Sequence, residues 1–182
     1  MKNLSQPAPL VAAPIGGLTR LAGWCAYASG IVSIFGIVFL IAFFTVGGIF
    51  GPLNDLAIIV QYALMLPIAF VVQQLLRPHR PILSLAATVV GIAGMLAVIF
   101  LQALLVAGVL PFSRQIGMVS IAFLVVLVWF VFTGHLGRST DQLPKGLLLH
   151  ILAGLYFGYP IWAFSLERRL KSSGLNAIAP TP

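Results

Sequence analysis

The residues with the widest chemical range in this chain are three histidines, His79, His135 and His150. Imidazole ligates zinc or haem iron and exchanges a proton near neutral pH. His135 and His150 fall near the facing ends of two consecutive apolar segments, so antiparallel neighbours would bring them to one side of the molecule. That pair is the candidate site for haem, a metal or another small molecule. The plainer reading makes His79 and His135 interfacial and lets His150 bond to a neighbouring helix, because polar side chains inside bundles commonly join helices. On that reading the chain carries no cofactor and no metal.

Other chemistry is sparse. The three acids, Asp55, Asp141 and Glu167, stand at the edges of apolar segments rather than inside them. Ion-coupled transport usually needs carboxylates within the membrane, and acid–base catalysis needs paired groups. No Ser-His-Asp set, zinc-ligand spacing or glycine-rich phosphate loop is present. The expectation is a chain that is not an enzyme and has no catalytic residue. Gln61 and Gln102 are deep polar side chains that either line a small cavity with Tyr62 or hydrogen-bond across helices. The single cysteine, Cys25, excludes an intramolecular disulfide. It does not follow a lipoprotein signal, because Trp24 precedes it and the apolar run comes after it. That run is also far longer than the ~7–15 residues of a signal-peptide core, so a cleaved signal is not expected.

The elements that must position these residues follow from composition. Hydrophobic residues make up 60% of the chain and charged residues 7%. An ordinary soluble domain carries roughly 25% charged residues, so most of this surface must face lipid. The pattern predicts an all-α, polytopic transmembrane bundle of about five helices. The spans lie over about 21–48, 55–76, 82–110, 115–136 and 145–166, within a bundle over 21–171. Asn54 and Ser113 are the expected N-caps, and Pro67 and Pro160 the expected kinks. Residues 1–20, with three prolines and two glycines, read as a flexible arm, and 172–182 as a disordered tail.

The net charge of +7 comes from cations between or beyond the apolar runs. This is the distribution of a membrane protein, not of a nucleic-acid binder, which would interleave basic and aromatic residues. With the N-terminus cytoplasmic, the inner segments hold Lys2, Arg20, Arg77, Arg80, Arg138 and Lys145. The outer ones hold Arg114, Arg168, Arg169 and Lys171. The expected location is the cell membrane, with the lipid bilayer as the first partner and a membrane-protein partner or a second copy as further ones.

Lipid gives helices no hydrophobic reason to associate, so small residues mark close contacts. Ala22, Ala26, Ser29, Gly30, Ser33 and Gly36 share one face of the first helix. Ser84, Ala87, Gly91, Gly94 and Gln102 share one face of the third, and His150, Gly154, Gly158 and Ser165 one face of the fifth. The expected packing residues are Gly30, Ser33, Gly91, Gly94, Gly154 and Gly158.

Several local patterns stand together. Thr19-Arg20-Leu21-Ala22-Gly23 opens the first helix. Gly134-His135-Leu136-Gly137-Arg138-Ser139 and Leu143-Pro144 lead into Leu152-Ala153-Gly154-Leu155-Tyr156. The set resembles an uncharacterised family of bacterial multi-pass inner-membrane proteins, a domain-of-unknown-function family whose members often carry one more helix. The resemblance implies the bacterial inner membrane and assigns no activity and no catalytic residue. The leading expectation is a structural, accessory or partner-binding bundle. The alternatives are a haem-, metal- or small-molecule-binding protein and a small transporter.

Overall fold

The computed structural model describes residues 16–139 together with Phe164, Glu167 and Arg168. Four helices occupy this range: α1 (Gly16–Thr45), α2 (Phe50–Leu76), α3 (Pro81–Val106) and α4 (Phe112–Ser139). Among the described residues there is no strand. Lipid leaves a spanning backbone no water to bond with, so helices that satisfy their own amides are the natural result of such apolar sequence. The helices contain 30, 27, 26 and 28 residues. At 1.5 Å per residue that is about 39–45 Å, more than the ~30 Å hydrocarbon core. All four are long and apolar enough to cross a membrane. The fold is a polytopic helical bundle of a multi-pass membrane protein. The fifth expected span, 145–166, lies outside the described residues except for Phe164, and the expected tail over 172–182 lies wholly outside them.

Helix ends differ from the sequence reading in informative ways. α1 starts at Gly16 rather than Leu21, with Thr19 already buried at 8% exposure. α2 starts at Phe50 rather than Asp55. Gly51-Pro52 does not stop it, because a proline in the first turn lacks only an N–H that has no intrahelical acceptor anyway. Asn54 is therefore not a cap. It lies inside α2 and is buried, while Ile49 stands at the cap with no side-chain bond. α2 continues through Pro67 to Leu76. α3 takes Pro81 into its first turn and ends at Val106, not Leu110. Gly108 at φ 70° reverses the chain there, and the amides of Val109 and Leu110 bond to the Leu104 carbonyl. Ser113 is not the cap of α4. The helix starts at Phe112, and the Pro111 carbonyl receives the amides of Arg114 and Gln115. α4 then runs past Leu136 to Ser139, so the first residues of the expected loop are helical.

The short connections force consecutive helices to be antiparallel neighbours. α1 packs on α2, α2 on α3 and α3 on α4, while α2 and α4 touch only slightly. α2 is consequently the central helix. Met65, Ile68, Ala69, Val71, Val72 and Leu76 form its buried face. One end of the bundle collects the start of α1, the α2–α3 turn and the end of α4. The opposite end collects the α1–α2 and α3–α4 turns.

Candidate functional site

His135 lies near the C-terminal end of α4 and is exposed. His79 lies in the α2–α3 turn, at the same end of the bundle, and is also exposed. His150, the other half of the expected ligand pair, is outside the described residues, as are Gly154 and Gly158. No three His, Cys, Asp or Glu side chains among the described residues are grouped as metal ligands would be.

The polar interior is organised by two helix seams. In the α3–α4 seam, Gly91 and Gly94 are buried and face large side chains. A Cβ added to Gly91 would overlap Cγ and Cδ1 of Trp129 and stand 2.9 Å from Cδ2. A Cβ at Gly94 would stand 2.9 Å from Val125 Cγ1 and 3.0 Å from Val126 Cγ2. The indole therefore occupies the volume that a side chain at 91 would take. Trp129 is 1% exposed and also contacts the Phe130 ring at a centroid distance of 4.8 Å. Towards the α3–α4 turn, Gln115 Nε2 donates to Gln102 Oε1 at 2.7 Å, with both side chains buried. The sequence marks Gln102 but misses Gln115, which stands at the expected edge of a span. Its place three residues into α4, directly after a turn, is the signal that pairs the two across a short hairpin.

The α1–α2 seam is made of smaller groups. Ala22, Ala26, Ser29, Gly30, Ser33 and Gly36 are all buried on α1. A Cβ at Gly36 would make ordinary contact, 3.7 Å from Ala57 Cβ and 3.9 Å from Asn54 Oδ1. Ser29 Oγ donates to the Ala26 carbonyl within the helix at 3.0 Å. Ser33 Oγ and Asn54 Oδ1 are buried with no hydrogen-bond partner among the described residues, and so are Thr88 Oγ1 and Trp129 Nε1 in the bundle's other half. Gln61 is buried on α2, and Tyr62 packs against the Phe123 ring at 5.8 Å.

Charge is segregated along the bundle axis. Arg20, Arg77, His79 and Arg80 are exposed at one end, where the last turn of α4 also places Arg138. At the other end the described charges are Arg114, exposed, and Asp55, half-buried. Trp24 and Tyr27 project from α1 on the arginine side and meet edge to face at 6.3 Å. Tyr27 also contacts Phe164 at 5.7 Å. Between the two ends the outer surface is apolar: Phe35, Phe100, Ile121 and Leu124 are each more than half exposed.

Fold and surface together define the class: a helical multi-pass membrane protein with a mostly apolar outside and a few polar groups held between helices. No protein-family model, curated protein or solved structure matches the chain.

Proposed function

We propose that this protein is a non-enzymatic component of the bacterial inner membrane, acting through helix and lipid contacts, with its N-terminus in the cytoplasm. The observation that carries this reading is the connection of long apolar helices by turns confined to residues 46–49, 77–80 and 107–111. Such turns are too short to build a pocket for a soluble substrate. The described polar groups of the interior sit on facing helices, where they serve association rather than turnover. A membrane-protein partner or a second copy would meet the exposed apolar outside, with Phe35, Phe100, Ile121 and Leu124, because the small-residue faces of α1 and α3 are buried within the bundle. Orientation follows from Arg20, Arg77 and Arg80, because short cytoplasmic loops carry the excess of arginine and lysine.

Reporter fusions after Arg80 and after Arg114 test the orientation. The first is expected to report cytoplasm and the second the outside, and the reverse pattern sinks the assignment. Haem or metal binding through His135 and His150 is the alternative that a spectrum decides. A Soret band in the purified protein that disappears in His150→Ala would replace the non-enzymatic reading with a cofactor-binding one.

A further inference from the structure

We propose that the arginine end of the bundle is a docking surface for anionic phospholipid headgroups, built from Arg20, Arg77 and Arg80. The proposal rests on the membrane-spanning reading above and adds a ligand class to it.

Arg77 and Arg80 are held on a closed turn: the amides of His79 and Arg80 both bond to the Leu76 carbonyl, at 3.2 and 3.1 Å. Pro78 and Pro81 stiffen the same stretch. Two guanidiniums on such a turn are arranged in advance for phosphate oxygens, which they bind bidentately. Directly beside them Ile82 is 81% exposed and Leu83 is also exposed, both at the start of α3. Trp24 and Tyr27 supply amphipathic rings at the same level, as interfacial anchors do. A soluble anion would use the arginines and ignore the apolar flank. A phospholipid uses both, with phosphate on the guanidiniums and acyl chain along Ile82 and the face of α3.

The test compares full-length protein in detergent, titrated with dioleoyl phosphatidylglycerol or dioleoyl phosphatidylcholine, with bound lipid counted by native mass spectrometry. Phosphatidylglycerol is expected to be retained more strongly. Arg77→Gln/Arg80→Gln should weaken that retention about tenfold, each arginine near an anionic surface contributing a few-fold. Arg114→Gln, at the other end, should leave it unchanged. Equal retention of the two lipids, an equal effect of Arg114→Gln, or displacement by millimolar inorganic phosphate would overturn the proposal. The melting curve of each variant in phosphatidylcholine separates lost binding from lost folding. Failure of the membrane reading would look different: the chain would stay soluble without detergent.

Discussion

At the α3–α4 seam the Trp129 ring fills the space left by the missing side chain of Gly91, while at the α1–α2 seam Gly36 meets only a methyl group and an amide oxygen. Both seams draw on small residues at helical spacing, yet they use them in two physically separate ways. In the first, glycine is a notch that receives a large ring, so affinity depends on shape, and dispersion contacts are concentrated in one side chain. In the second, the small-residue face of α1 meets α2 at ordinary contact distance, with Ala57 and Asn54 opposite Gly36 and no ring filling a notch. Their polar groups differ less. Gln102 and Gln115 bond to each other across α3 and α4, and each half of the bundle buries two polar atoms without a partner among the described residues, Ser33 Oγ and Asn54 Oδ1 in one and Thr88 Oγ1 and Trp129 Nε1 in the other. A bundle built this way has one sharply specified hairpin, α3–α4, and one more permissive hairpin, α1–α2.

Substitutions that separate the two modes should differ widely in size. Trp129→Ala empties the notch and should cost about 3–5 kcal/mol, the range for removing a buried tryptophan. The readout is unfolding of the purified protein in detergent, and a loss below a quarter of that range would deny the ring its role. Gly91→Ala drives a methyl group into the same ring and should cost about 1–3 kcal/mol. Combining it with Trp129→Ala is the sharper experiment. Once the ring is gone the methyl has room, so Gly91→Ala should be close to neutral in that background. Additive losses would mean that the glycine matters for some reason other than the ring.

Smaller effects are expected from the polar pair. Gln115→Leu leaves the Gln102 amide buried and unpaired, at a cost of about 0.6–1.7 kcal/mol by analogy with hydrogen bonds between membrane helices. Gln102→Leu/Gln115→Leu should recover much of that loss, since two apolar groups leave nothing unsatisfied. A double variant as unstable as the sum of the singles would argue against a direct pair. The smallest effect belongs to the permissive seam. Gly36→Ala adds a methyl at ordinary contact distance and removes a flexible helix residue, so it should be neutral or stabilising by up to about 1 kcal/mol. A clear loss of stability there would erase the contrast with Gly91.

Much of this molecule is written locally. The apolar runs are long and nearly free of charge, so their solvent, their helicity and their approximate positions follow from composition and spacing before any contact is known. The small-residue stripe on α1 is also visible in the sequence, because a period of 3.6 puts Ala22, Ala26, Ser29, Ser33 and Gly36 on one face whatever lies opposite. Helix ends are less local. Gly51-Pro52 and Asn54 carry the marks of a helix boundary, but α2 starts at Phe50 because a first-turn proline costs nothing, and Asn54 lies buried inside it near Gly36 of α1. What only the tertiary structure decided is which face meets which. Nothing in the spacing of Gly91 names Trp129 as its occupant, pairs Gln102 with Gln115, or brings Phe164 beside Tyr27. Those outcomes depend on how far apart the helix axes lie and how each helix is rotated about its axis, which the whole bundle sets by packing, whereas periodicity reports only what a helix offers to its surroundings.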